Sequence, residues 1–312
     1  MNDLPKLPIS ESALNRYLIR TQQQIRPGLG GSHLTRRQGQ SLEFRDFAVY
    51  TPGDDIRHVD WRASSRYGKP QDLLVRKFVA EEQHSLVISI DTRDTMGLPD
   101  TPSKLQIARW LAEAIAWVGL RSGDQVVLHQ LFSQERRVPT TIRGATGAIN
   151  IRTELGRFSE PTYDARANVQ ILRPYLPPTA VWIILTDFYF GQEQADALSQ
   201  TIVQAQRGYR QVLLVELDSW PYERVLVGVG PRRIEGPGIH VERPHYEVTE
   251  EALNQLEANI AAHKLGFLNQ LRRRKSDTIC QWAEEASDGA ELFRSCFLND
   301  KSIQNLFVRK TL

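Results

Sequence analysis

Two carboxylates stand where apolar runs end. Asp91 closes Leu86-Val-Ile-Ser-Ile90, and Asp187 closes Val181-Trp-Ile-Ile-Leu-Thr186. Like charges brought together need a cation, a proton or hydrogen bonds. A hard divalent ion such as Mg2+ takes oxygen ligands and keeps several waters, which suits a site made of Asp91, Thr95 and Asp187. The other reading is that both aspartates cap the turns or helices that follow them, and the residues weigh the two equally. Arg93 lies two positions beyond Asp91. A guanidinium carries only donors and a permanent charge, so it cannot ligate a cation. It could instead act as an internal counter-ion to Asp91 and Asp187. No Ser-His-Asp or Cys-His arrangement has a diagnostic spacing, and the seven histidines are scattered without metal-ligand pairs. The chain also lacks the G-x-x-x-x-G-K-[ST] phosphate loop of ATPases.

Such carboxylates need a scaffold that gathers strand ends. From Ser85 onward, apolar strand-like runs alternate with amphipathic helices: Ser85 to Asp91, Ser103 to Arg121, Gln125 to Phe132, Ala180 to Asp187, Ala195 to Arg207 and Gln211 to Leu217. This alternation predicts an α/β fold with a doubly wound, mostly parallel, Rossmann-like sheet. In the segment from Ser103 to Arg121, apolar residues recur near every 3.6 positions and Ser103 is the expected N-cap. Further on, Arg224 to Val229 and Gly238 to Val241 read as short strands. Thr249 to about Glu285 reads as a long helix, Glu291 to Phe297 as a strand and Lys301 to Arg309 as a closing helix. A helix-like opening, Glu11 to Gln24, precedes a Gly-punctuated basic stretch.

The 312 residues are 41% hydrophobic and 24% charged, the composition of a folded chain. The longest uncharged apolar run, Ala180 to Thr186, is far too short to span a membrane. The N-terminus has no apolar core of a secretory signal, and two cysteines are too few for a disulfide framework, so a cytoplasmic protein with buried thiols is expected. A net charge of +2 gives no reason to expect nucleic acid as a partner. Residues 1–80 carry a net +5 and the remainder a net −3, which predicts a boundary near residue 80: an N-terminal segment, 1–80, partly extended, and a larger domain, 81–312.

The stretch Asp91-Thr-Arg-Asp-Thr-Met96 resembles the D-x-S-x-S motif of von Willebrand factor A domains, whose metal-ion-dependent adhesion site binds Mg2+. By that resemblance Thr95 keeps the second hydroxyl, Asp187 matches the later aspartate, and Thr162 is the candidate loop threonine. Arg93 replaces the first serine, which counts against metal binding.

Gly39-Gln-Ser-Leu-Glu-Phe44, Tyr50-Thr-Pro-Gly-Asp-Asp-Ile-Arg57, Val59-Asp-Trp61 and Ser64-Ser-Arg66 resemble the ordered signature of the domain of unknown function 58 family. That family places the signature directly ahead of a von Willebrand factor A-like domain; here the extended N-terminal segment is expected to pack against the sheet. Two residues depart from it, Ser41 and Ala48. Physically, Asp54 or Asp55 suits a Pro-Gly turn, and Arg57 and Arg66 suit ion pairs with Glu43, Asp55 or Asp60. Phe44, Tyr50 and Trp61 offer apolar anchors. The functional reading keeps Asp54, Asp55 and Asp60 as a second metal or phosphate contact.

The resemblance implies a non-enzymatic interaction module that works with a MoxR-type AAA+ ATPase and other von Willebrand factor A proteins in a chaperone or metal-insertion system. Its docking face would be the degenerate adhesion site, where Arg93 and Asp94 meet the partner and Mg2+ is the implied cofactor, against which Arg93 counts. The alternative is a metal-dependent phosphohydrolase of haloacid dehalogenase type with Asp91 as nucleophile. Arg93 stands where that chemistry needs an acid.

Overall fold

The computed structural model describes residues 4–19, 42–52, 54, 56–67, 73–80, 85–100, 102–133, 137–158, 166–167, 169–177, 180–208, 210–233, 245–271, 276–285 and 288–309. The chain divides into two units, residues 22–83 and the remainder, so residues 1–21 group with the larger one.

The larger unit is built on a six-stranded sheet. Its strands are β1 (Ser85–Ile90), β2 (Gln125–Gln130), β3 (Thr140–Ile142), β4 (Val181–Thr186), β5 (Gln211–Asp218) and β6 (Thr278–Gln281). They lie in the order β6-β5-β4-β1-β2-β3, all parallel except β3, which runs antiparallel to β2. The continuous burial of β1 and β4 is what a parallel sheet covered on both faces requires. Alternate residues feed two cores. Leu86, Ile88, Ile183 and Leu185 pack with helix α1 (Lys104–Arg121) and helix α5 (Gly289–Arg294). Val87, Trp182 and Ile184 pack with helix α2 (Gln192–Arg207) and helix α4 (Glu250–Gln270). A further helix, α3 (Trp220–Val227), follows β5 directly.

Helix α1 starts where its cap was expected, with Ser103 Oγ accepting from the Gln106 N–H at 3.1 Å. It buries Leu105, Ile107, Leu111, Ile115, Val118 and Leu120, each worth roughly 1.5–3 kcal/mol of transfer free energy. Residues ahead of the sheet belong to this unit too. Trp110 Nε1 donates to the Pro5 carbonyl at 3.0 Å, and Tyr17–Ile19 pairs antiparallel with Phe307–Arg309.

Several sequence expectations need correction. Arg224 to Val229 lies mostly within α3 rather than forming a strand, and Gly238 to Val241 lies outside the described residues. The helix after Thr249 ends at Gln270, and the polar-flanked segment beyond contributes β6. Glu291 to Phe297 is helical, running from α5 into a π-turn at Ser295–Asn299. Its aromatics at i and i+4, Phe293 and Phe297, stack at 5.4 Å on one helical face. Lys301 to Arg309 splits into the short helix Lys301–Gln304 and a strand. Of the expected opening helix from Glu11 to Gln24, Glu11–Leu14 is helical and Tyr17–Ile19 is a strand, while residues 20–24 lie outside the described residues. Both cysteines are free and buried as expected; the neighbouring Cys280 sulfur and burial hold the Cys296 thiol well above its ordinary value.

In the smaller unit, Leu42–Val49 pairs antiparallel with Leu74–Ala80 around a bulge at Phe44/Asp46, and a short helix covers Trp61–Arg66.

Candidate functional site

Strand order reverses between β1 and β4, where a doubly wound sheet opens a crevice. The Asp91 N–H donates to the Leu185 carbonyl at 2.9 Å, which carries the β1 backbone one residue past its end alongside β4. Asp91 and Asp187 therefore flank one point. Both are 0% exposed.

Arg93 joins them. Its Nε donates to Asp91 Oδ1 at 3.1 Å and its Nη2 to Asp91 Oδ2 at 2.5 Å, a bidentate pairing, while Nη2 also reaches Asp187 Oδ1 at 3.0 Å. Nη1 donates to the Tyr189 carbonyl at 2.6 Å. The guanidinium lies over the rings of Phe132 and Phe190, at 4.6 and 5.3 Å. It is 5% exposed and committed to this network, so the direct pairing of Arg93 with a partner carboxylate is not what this geometry offers. The loop supports that commitment through its own backbone. Phe188 is held at φ +61°, a left-handed conformation uncommon for a bulky residue, and the next peptide presents its carbonyl to Arg93. Thr186 Oγ1 accepts from the Phe188 N–H at 3.2 Å and donates to Asp91 Oδ2 at 2.7 Å.

A second cation, which sequence reasoning missed, completes the cluster. Lys104, first residue of α1 and 1% exposed, places Nζ 3.1 Å from Asp187 Oδ2 and 3.2 Å from Glu223 Oε1. Burial pushes the Asp187 carboxyl up, but Lys104 and Arg93 more than reverse this and hold it at about 2. Burial likewise pulls Arg93 down, and Asp91 and Asp187 more than restore it, so its pKa is raised. The Thr95 hydroxyl is buried and faces Asp187 without completing a hydrogen bond of ordinary geometry. Asp94 is half-buried and turns inward to its own chain, accepting from the Thr95 N–H at 3.0 Å.

A second polar tier lies beside the first. Lys104 and Lys264 flank the ring of Tyr189, at 4.7 and 5.4 Å. Lys264 pairs with Glu216 at 2.9 Å and Asp218 at 3.5 Å, and Ser276 donates to Glu216 at 2.5 Å. Burial and the carboxylates of Glu223, Asp218 and Asp187 push the Tyr189 phenol well up, so it stays neutral.

Mg2+ is the ion that the adhesion-site resemblance implies, and these side chains do not fit it. The Asp91 and Asp187 oxygens are taken up by a guanidinium, an ammonium and a threonine hydroxyl, and the side chain of residue 93 has no oxygen to give. Among the described residues, no three His, Cys, Asp or Glu side chains are grouped so as to hold a metal ion. Thr162 lies outside the described residues. One nucleophile-base contact does exist, Ser89 Oγ to His129 Nδ1 at 2.9 Å. Trp182 Nε1 donates to the same Oγ at 2.8 Å, and both residues are buried to 1% exposure or less, which closes the pair to substrate.

Where they are described, the signature aspartates hydrogen-bond their own local backbone. Asp60 Oδ1 caps the helix Trp61–Arg66 by accepting from the N–H groups of Arg62 and Ala63, and its Oδ2 pairs with Arg76 at 2.5 Å, a partner the sequence reading did not name. Asp54 Oδ2 accepts from the Thr51 N–H and hydroxyl, each at 3.0 Å. Trp61 is 63% exposed and does not anchor the segment. Tyr50 is half-buried and donates its N–H to the Leu73 carbonyl. Asp55 and the side chain of Glu43 lie outside the described residues. The Ala63 and Arg62 N–H groups and Arg76 lower the Asp60 carboxyl, so its support is present above the ordinary value of 3.8 and is lost on acidification below it. Asp60→Ala should speed amide exchange at Arg62 and Ala63 several-fold and leave β1 and β4 protected.

The family model described as "Protein of unknown function DUF58" matches residues 46–251. The uncharacterised proteins Rv1480 of Mycobacterium tuberculosis and Mb1516 of Mycobacterium bovis are each 26% identical to this chain over 125 residues, 40% of this chain and 38% of theirs. The chain thus matches well under half the length of these relatives. Among solved structures, the conserved hypothetical protein BatB from Bacteroides thetaiotaomicron is similar over 67% of this chain and 95% of its own, at 13% identity and a TM-score of 0.37. Asp60, Asp91, Arg93, Lys104 and Asp187 all fall inside the family match, which takes in most of the sequence, and the chain belongs to the DUF58 family.

Proposed function

We propose that this chain is a non-enzymatic protein-interaction module of von Willebrand factor A type, working with a MoxR-type AAA+ ATPase in a chaperone or metal-insertion system. One observation carries the reading: both strand-end carboxylates are consumed by internal cations in a site closed to water. A phosphohydrolase would need Asp91 free to attack and an acid two residues on. Asp91 instead spends both oxygens on Arg93. What the crevice rigidifies is the loop between β1 and α1, and that loop presents Leu98, 51% exposed, beside exposed Asp100. Because the cations are buried and Asp100 is not, the partner surface that fits is basic with an apolar contact, rather than acidic. Among the described residues no helix is long and apolar enough to cross a membrane.

The test is affinity capture from the native host with the wild type and Leu98→Asp/Asp100→Lys. An AAA+ ATPase should accompany the wild type and be lost from the variant. Capture of no ATPase overturns the reading, as does turnover of an aryl phosphate that vanishes in Asp91→Asn.

A further inference from the structure

We infer that in the crevice beyond β1 and β4 two of the chain's own side chains, Arg93 and Lys104, jointly take the place that a divalent cation would fill between Asp91 and Asp187, so that the crevice holds no metal ion. Two buried carboxylates carry two negative charges, and two buried cations answer them at 2.5 to 3.1 Å. Neither cation does so alone. Arg93 takes both oxygens of Asp91 but only Oδ1 of Asp187, and Lys104 takes Oδ2. The ammonium is placed against local preference, since a positive charge in the first turn of α1 opposes the helix dipole. Asp187 explains its retention there. The Thr95 hydroxyl points the same way: buried, facing Asp187 and without a hydrogen bond of ordinary geometry, it is an oxygen that a hard cation would use.

With both cations removed, Asp91, Asp187, Thr95 and Thr186 would leave an uncompensated oxygen-lined pocket that only a metal ion or protons could neutralise. Removing Arg93 alone leaves Lys104 on Asp187, so half of the replacement persists. This inference rests on charge and distance, and it stands or falls whether or not an ATPase partner is found.

Mn2+ is the probe, followed by electron paramagnetic resonance and by the thermal midpoint. Proteins compared are the wild type, Arg93→Ser, Lys104→Met, the double variant, and the double variant carrying Asp91→Asn. The double variant should bind Mn2+ at least about tenfold more tightly than either single one. Its midpoint should be depressed without metal and raised by Mn2+. Asp91→Asn should remove both effects, and the wild type should show neither. Mn2+ binding by the wild type, equal binding by Arg93→Ser and the double variant, or a double variant that neither folds nor takes up the ion in excess Mn2+ would each overturn the inference.

Discussion

Arg93→Met is expected to lower the stability of the larger unit by about 3–5 kcal/mol, the usual scale for leaving a buried charge without its partner. At this size the thermal midpoint should fall by roughly 10 °C. Methionine fills much of the aliphatic volume and keeps the contact with Phe132 and Phe190, so the loss reports charge rather than a cavity. Asp91 loses its bidentate partner, and Asp187 keeps only Lys104. The pH dependence gives the diagnostic sign. In the wild type, Asp187 sits at about 2 against an ordinary 3.8, so its contribution is complete above 3.8 and is lost as pH falls through about 2. Without Arg93, burial counts for more and the carboxyl moves upward. Acid then costs the variant less than it costs the wild type. Urea titrations from about pH 5 down to about pH 2 should therefore show the gap between the two proteins narrowing. A gap that widens, or a loss below about 1 kcal/mol, would falsify the view that Arg93 neutralises the pair.

The scaffold was legible because its signals are local. Apolar runs ending in aspartate, a Ser103 cap and 3.6-residue periodicity in α1 predict the parallel sheet, and they leave the meeting of Asp91 with Asp187 level with a simple capping role. Spacing alone also makes Arg93 their natural counter-ion, since it sits two residues from one of them. Lys104 was not legible. It opens an amphipathic helix, where a lysine ordinarily lies in solvent, and its partners Asp187 and Glu223 are 83 and 119 residues away. One clue was present: lysine is unfavourable beside a helix N-terminus unless an acid waits there. Glu216 and Lys264 were hidden in the same way, one within an apolar strand and the other in a polar helix, with no local feature to join them. The signature segment was misread at Trp61 because aromatic type was taken as burial, whereas Asp60 organises that segment by capping and by pairing with Arg76, 16 residues on. Strand β6 escaped because Ile279 faces outward and only two of its four residues are buried.

Lys104→Met should cost about 2–3 kcal/mol, less than the loss of Arg93, because Arg93 Nη2 still reaches Asp187 Oδ1. The informative measurement is the cycle with Asp187→Asn. The amide keeps an oxygen able to accept from the Tyr189 N–H and from Arg93, while removing the charge that Lys104 answers. Each single substitution strands a buried partner; the pair together strands almost nothing. Glu223, the other partner of Lys104, is 18% exposed at its side chain and hydrogen-bonds the Ser219 hydroxyl, so it can turn to water when the ammonium is lost. The double variant should consequently be more stable than the sum of the two single losses implies, with a coupling of about 1–3 kcal/mol in urea titrations. Additive losses would mean that the 3.1 Å contact carries no energy, and Lys104 would then be a packing residue whose charge the site could dispense with.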